Sequence, residues 1–207
     1  MITLAIDCAT EACSVALFDE TKLVDGRFDT IGRGHAERLV PMIAELPDKG
    51  RAERILVSLG PGSFTGVRIG LAAARALGLA WQAQVLGYPT LTLVAAMADA
   101  KLPDTPVTVC MNGGHGEYFV QNFASGAEVQ DNVRSLPPAD AAAACRHATI
   151  AGNRADALAE QLGDGRLALD MLPDARAAHL LDESHFTTAL APVYGRAPDA
   201  RLPQARA

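Results

Sequence analysis

Hydrophobic and polar positions divide the chain into a strand-rich start and a helical continuation. Ile2 to Ala9 is an apolar run that stops on Asp7-Cys8-Ala9-Thr10, and Cys13 to Asp19 follows after a very short connection. Leu23 to Thr30 then sets Val24 and Phe28 against Asp25, Arg27 and Asp29, which predicts a third, half-exposed strand. The three together predict an antiparallel meander. From Gly34 to Leu46 the period becomes helical, with Leu39, Ile43 and Leu46 at i, i+4 and i+7; Pro41 inside it is expected to kink the helix or end its first turn early. A fourth strand, Arg54 to Leu59, runs into Ser58 to Trp81, where a glycine-rich turn enters a long helix. A short strand-like Gln84 to Tyr88 and an apolar helix from about Thr90 to Ala100 complete the first half.

The link Lys101-Leu-Pro-Asp-Thr-Pro106 breaks the composition, and a similar order then starts again. Val107 to Met111 and Glu117 to Phe123 flank a glycine-rich turn and read as a hairpin, with a third strand around Glu128 to Leu136. Pro138 to Cys145 reads as a short helix, Thr149 to Gly152 as a strand, and Asn153 to Leu162 as a helix with Asn153 at its N-cap. Three strands, helix, strand, helix therefore occurs twice, eroded the second time. Ala197 to Ala207 is expected to be a flexible tail.

The long helix of the first half is unusual in two ways. Gly66, Gly70, Ala74 and Gly78 recur every fourth residue and form a ridge with almost no side chain on it. Each glycine inside a helix costs about 0.5–1 kcal/mol against alanine, so close contact with another backbone is expected along that ridge. The other faces carry Val67, Ile69, Leu71, Leu77, Leu79 and Trp81, with only Arg68 and Arg75 as a thin charged stripe. A helix apolar nearly all round is covered on more than one side.

The 207 residues are 49% hydrophobic and 20% charged, enough for a real core, and the net charge of −6 argues against this chain alone gripping a phosphate backbone. Neither a signal peptide nor a membrane span is read from the sequence. Cys8, Cys13, Cys110 and Cys145 include no C-x-x-C pair, so neither a zinc ribbon nor a redox motif is suggested, and a reduced cytoplasmic protein is expected.

Two places are candidates for phosphate chemistry. Gly60-Pro-Gly-Ser-Phe-Thr-Gly66, with Gly60, Gly62 and Ser63, resembles a turn whose free backbone N–H groups would suit a phosphate. The lysine of a Walker loop is absent, and the favoured alternative is that Ser63 caps the helix while the glycines let it enter at a sharp angle. Asp7 with Thr10 could hold a magnesium–phosphate pair, or Asp7 could stabilise its turn. His35, His115, His147, His179 and His185 have no ligand spacing, so no metal site is expected, and Ser63 is not in a G-x-S-x-G elbow.

Ile2-Thr-Leu-Ala-Ile-Asp-Cys-Ala-Thr-Glu-Ala-Cys-Ser-Val-Ala-Leu17, His35-Ala-Glu-Arg-Leu-Val-Pro-Met-Ile43, Gly60-Pro-Gly-Ser-Phe-Thr-Gly-Val-Arg-Ile-Gly70 and Pro192-Val-Tyr194 resemble the hallmarks of the TsaB family, also called YeaZ. The resemblance runs from residue 2 to about 196. It implies an α/β fold of the actin-like, Hsp70-like ATPase (ASKHA) kind, with two related lobes, each a mixed sheet flanked by helices. On this chain the lobes fall at 1–102 and 103–196, with the tail at 197–207. The family opening has threonine where Cys8 stands. D-A-R-x-G-E-V-Y, common at the start of the family's second lobe, is replaced by Asn112-Gly-Gly-His-Gly-Glu-Tyr118, which loses the acid and the arginine; Gly195 stands where leucine is usual.

The resemblance further implies a non-catalytic subunit that binds and stabilises TsaD, with TsaE as a third member, in forming N6-threonylcarbamoyladenosine at adenosine 37 of tRNAs that read ANN codons. TsaD-like proteins carry H-x-x-x-H on the helix after the glycine-turn helix, and Thr90-Leu-Thr-Leu-Val-Ala-Ala96 has no histidine. No cofactor of its own is expected, ATP and a metal ion belonging to partner subunits, and tRNA is reached only through the complex. The family pairs with TsaD, or with itself as a homodimer, through the two first-lobe helices. That places an interface on His35, Leu39, Met42, Ile43, Leu46, Gly66, Arg68, Ile69, Gly70, Ala73, Ala74, Leu77 and Gly78. The competing reading is a minimal ATPase or small-molecule kinase of the same fold using Asp7, Thr10 and the 60–66 turn. A metalloprotease fails on the histidine spacing.

Overall fold

A computed structural model of the chain describes residues 1–195; the tail expected at 197–207 lies outside the described residues. The opening meander is present as β1 (Ile2–Asp7), β2 (Ala12–Asp19) and β3 (Lys22–Thr30). With β4 (Arg54–Ser58) and β5 (Gln84–Tyr88) they form one sheet in the order β3-β2-β1-β4-β5. The first three strands are antiparallel, whereas β4 and β5 run parallel to β1. The second half repeats this with β6 (Val107–Gly114), β7 (Glu117–Phe123), β8 (Arg134–Leu136), β9 (Thr149–Ala151) and β10 (Leu167–Leu169). Their order, β8-β7-β6-β9-β10, is the first sheet's order residue block for residue block. Erosion shows as length, since β8, β9 and β10 have three residues each. The short β10 escaped the sequence reading because three residues are too few to display a period.

Helices fill the layers between and outside the sheets. α1 (His35–Ala44) and α2 (Phe64–Trp81) pack on the outer face of the first sheet, against Leu4, Ile6, Val15, Leu17, Ile55 and Val57. α4 (Pro138–Ala144) and α5 (Ala155–Leu162) do the same on the second sheet, with Ala141 and Leu158 against Val120 and Ile150. α3 (Thr90–Lys101) lies between the sheets in a central core with Phe18, Leu56, Tyr88, Val109, Phe119 and Phe123. That position explains why it has no polar face: residues Thr90 to Ala96 are buried on every side. A duplicated meander with two parallel additions and layered helices is the ASKHA architecture.

Three local expectations need correction. Pro41 does not end α1 early, and the helix runs on to Ala44. The carbonyl Pro41 leaves without a donor is that of Glu37, and both residues are exposed, so water can satisfy it. Asn153 does not cap α5: Arg154 holds the N-cap position with no side-chain bond, and Asn153 instead reaches Glu11 and the Asn112 backbone. The segment after β10, expected within the 103–196 lobe, returns to the first sheet. Ala175 N donates to Ser14 Oγ at 2.9 Å, Gly87 and Thr187 exchange backbone hydrogen bonds, and Val193 N donates to Leu59 O at 2.8 Å.

Candidate functional site

The glycine turn is built around close approach. Gly60 has φ +89°, a left-handed conformation that glycine adopts at little cost. Gly62 and Gly66 have ordinary backbone angles, but a Cβ on either would overlap a carbonyl oxygen of the β1–β2 hairpin, that of Ala9 or of Cys8 respectively. The N-terminus of α2 therefore sits directly on that hairpin. Three of the six backbone N–H groups of the 60–66 turn are taken: Ser63 N bonds Ala9 O at 2.6 Å, Gly66 N bonds Ser63 Oγ at 3.2 Å, and Gly60 N reaches Ser58 Oγ at 3.4 Å. Of the two sequence alternatives, the cap and sharp entry are the ones the hydrogen bonds realise.

Asp7 is equally withdrawn. It is buried, accepts from Ala9 N at 2.9 Å and from the Tyr88 hydroxyl at 3.2 Å, and its pKa is pushed up to about 6, chiefly by burial. Thr10 lies three residues beyond the end of β1, its hydroxyl accepting from Ala12 N at 3.2 Å. It lines a cleft of about 360 Å³ between the hairpin, the start of α2, the β6–β7 turn and Tyr194. Gly62 and Ser63 line the same cleft, but Asp7 and Gly60 do not, so the structure separates the weak phosphate candidates. Across the cleft Asn153 Nδ2 donates to both carboxylate oxygens of Glu11, at 2.9 and 3.2 Å, joining the two halves. Among the described residues, no group of three or more His, Cys, Asp or Glu side chains is disposed to hold a metal ion.

The expected interface residues divide by burial. Leu39, Met42, Ile43 and Leu46 of the first helical stretch belong to the core beneath α1, and His35 is buried with Nε2 3.2 Å from Ala12 O. Gly66, Gly70, Ala74 and Gly78 are also buried. The positions a Cβ would take on Gly70 and Gly78 are met by Val57, Cys8 and Ile6, and by Val85, so the ridge is covered by the chain's own sheet. This corrects the placement of a partner on the ridge: the close contact that the glycines demand is internal. Only Arg68, Ile69, Ala73 and Leu77 of the expected set reach the surface.

What faces outward is a different set. On α1 it is Ala36, Glu37, Val40, Pro41 and Ala44; on α2 it is Phe64, Thr65, Arg68, Ala72, Arg75, Ala76, Leu79 and Ala80 with half-buried Ile69, Ala73, Leu77 and Trp81. Val40 is 59% exposed, Phe64 65% and Leu79 84%. Leu79 and Trp81 were visible in the sequence as apolar residues off the ridge, which was the available signal. Arg68 and Arg75 are held by the returning segment, through the Tyr194 hydroxyl at 2.5 Å and Leu190 O at 2.6 Å. Arg68 also lies over the Phe64 ring.

Fold and site together define an actin-like duplicated chain whose glycine turn rests on the β1–β2 hairpin and whose outer helical layer exposes Val40, Phe64 and Leu79. A family model described as TsaD, tRNA N6-adenosine threonylcarbamoyltransferase, matches residues 29–172. The TsaB protein of Escherichia coli strain K12, named for tRNA threonylcarbamoyladenosine biosynthesis, is 39% identical over 124 residues, 58% of this chain and 53% of that protein. The TsaB protein of Haemophilus influenzae is 37% identical over 103 residues, covering 46% and 42%. The chain thus spans about half the length of these relatives. The solved structure of YeaZ from Pseudomonas aeruginosa matches with a TM-score of 0.78 and 28% identity, over 93% of this chain and 99% of that one. This chain belongs to the TsaB (YeaZ) family, within the wider TsaD-type fold family. No helix of the described residues is long and apolar enough to cross a membrane.

Proposed function

We propose that the chain is a non-catalytic scaffold that binds and stabilises a TsaD-type subunit, supporting formation of N6-threonylcarbamoyladenosine on tRNA. The observation that carries this is the outward face of α1 and α2. Val40, Phe64 and Leu79 are 59, 65 and 84% exposed there, among alanines and Pro41, with Glu37 the acid beside them. Large apolar side chains exposed on a helical face in this way suit a docking site. The exposed alanines Ala36, Ala44, Ala72, Ala76 and Ala80 leave room for close approach of a partner's helices. The same face serves self-association when the partner is absent, and TsaE and tRNA are reached through the assembled complex. ATP and a metal ion belong to the partner subunits on this reading. The Ser63 cap on the glycine turn and the sequestered Asp7 support it against a minimal ATPase.

Co-expression with a TsaD-type protein followed by size-exclusion chromatography tests it. The wild-type chain is expected to co-elute, and Val40→Glu with Leu79→Glu to remain folded but elute alone. Unchanged co-elution of that double variant would place the interface elsewhere. ATP turnover by the purified chain, lost in Ser63→Ala, would favour the enzyme instead.

A further inference from the structure

Cys8 and Cys13 are separated by five residues and form no recognised motif, yet the hairpin brings them together. Their sulfur atoms are 3.7 Å apart, and both side chains are free thiols. The pairing of β1 with β2 ends at Asp7 opposite Ser14, so continuing the register by one step sets Cys8 opposite Cys13. Both side chains point to the α1–α2 face, where they join the same apolar cluster. Directly opposite residues of an antiparallel pair have Cα atoms about 4.5–5.5 Å apart, inside the range of about 4.4–6.8 Å that a disulfide spans. A bond therefore needs the sulfurs to close by a side-chain rotation, without a change of strand pairing.

The electrostatics assign unequal roles. The hydrogen bond between the two thiols holds the Cys13 pKa below its usual value and, with burial, raises that of Cys8. The thiolate is the reactive form of cysteine. Cys110, by contrast, is pushed up to about 12 by burial. The hairpin tip just beyond the pair lines the cleft through Ala9, Thr10 and Glu11, giving a small oxidant a short route during local opening.

We propose that Cys8 and Cys13 form a reversible intramolecular disulfide, with hydrogen peroxide as the oxidant. The Cys13 thiolate attacks one peroxide oxygen, the O–O bond breaks, and the departing hydroxide takes up the thiol's proton as water, leaving a sulfenic acid. The Cys8 sulfur then attacks Cys13 sulfur, the S–O bond breaks, and the hydroxyl leaves as a second water with the Cys8 proton. Two thiols are oxidised to one disulfide and one peroxide is reduced to two waters. The linked residues lie under the start of α2, since the Cys8 carbonyl abuts Gly66 and the Ala9 carbonyl accepts from Ser63 N. Oxidation thereby ties the hairpin on which that helix end rests.

The test exposes the folded full-length chain to hydrogen peroxide, then denatures it, alkylates free thiols and digests with trypsin. Cys8 and Cys13 share the peptide Met1 to Lys22. The expected result is loss of two of the four free thiols, the 1–22 peptide unalkylated and two hydrogens lighter, with both thiols recovered by dithiothreitol. The same exposure of urea-unfolded chain supplies the reference rate. The proposal is overturned if the folded chain keeps both thiols of that peptide while the unfolded chain loses them. It is equally overturned if the product is a sulfinic acid that dithiothreitol does not reverse.

Discussion

Replacing Gly66 and Gly70 separately by alanine should move stability in opposite directions, although both lie on the same ridge of α2. At Gly70 an added Cβ meets Val57, Cys8 and Ile6 side-chain atoms at 3.6–3.7 Å, which is ordinary contact. Alanine there gains about 0.5–1 kcal/mol of helix propensity and loses nothing to packing. At Gly66 the new methyl would overlap the Cys8 carbonyl, a backbone atom that cannot rotate away. The helix end must lift, which weakens the 2.6 Å bond from Ser63 N to Ala9 O, worth about 1 kcal/mol, and adds overpacking strain of about 1–3 kcal/mol. Gly66 stands in the first turn, where the propensity return is smaller. The net expectation is a gain of about 0.5–1 kcal/mol for Gly70→Ala and a loss of about 1–3 kcal/mol for Gly66→Ala. Thermal unfolding followed by circular dichroism resolves this, since 1 kcal/mol shifts the midpoint by about 2–4 °C for a chain of this size. Gly70→Leu should also destabilise, because a larger side chain overpacks the same pocket. A Gly66→Ala variant as stable as Gly70→Ala would refute the close-approach account of the turn.

Three further outcomes follow from the geometry. Ser63→Ala removes the side-chain cap on Gly66 N and should cost about 0.5–2 kcal/mol in urea unfolding, with secondary structure otherwise retained. Leu79→Glu, on a side chain 84% exposed, should leave the unfolding midpoint within about 0.5 kcal/mol of wild type while abolishing partner binding. Asp7 has its pKa raised from 3.8 to about 6 by burial, so the folded state binds its proton more tightly than the unfolded state does. Its ionisation therefore removes stability as pH rises from about 4 to about 6, on the order of 3 kcal/mol in all. Comparing wild type with Asp7→Asn across that range should show the variant gaining relative stability with rising pH; a flat difference would mean that Asp7 is not held as described.

Much of the architecture could be read from periodicity because the first-half elements are long. β1, β2, α2 and α3 display their pattern over enough residues for a period to be counted, and the linker prolines near 103–106 mark where the order restarts. β10 and the return of residues 174–195 to the first sheet could not be read. The former has three residues, and the latter is held by backbone bonds such as Val193 to Leu59 that leave no sequence pattern. The nearness of Cys8 and Cys13 depended on hairpin register, which is decided by the whole meander rather than by their spacing.

The ridge of α2 shows how a correct local inference can be attached to the wrong neighbour. Glycine every fourth residue suggests another surface within reach, and Gly62, Gly66 and Gly78 have one too close for a Cβ, whereas Gly70 has room for it. A missing side chain reads the same whether the approaching surface belongs to the same chain or to another. Large side chains discriminate better. If a partner covered the glycine ridge, Leu79 and Phe64 would have to face the chain's own sheet, yet they are 84 and 65% exposed while the ridge is buried. The energetic cost of exposed leucine and phenylalanine falls on the side that nothing among the described residues covers, and burying each in an interface recovers about 1.5–3 kcal/mol. A partner that docks on α1 and α2 therefore gains most from Val40, Phe64 and Leu79, and the glycines contribute indirectly by fixing the height at which α2 presents them.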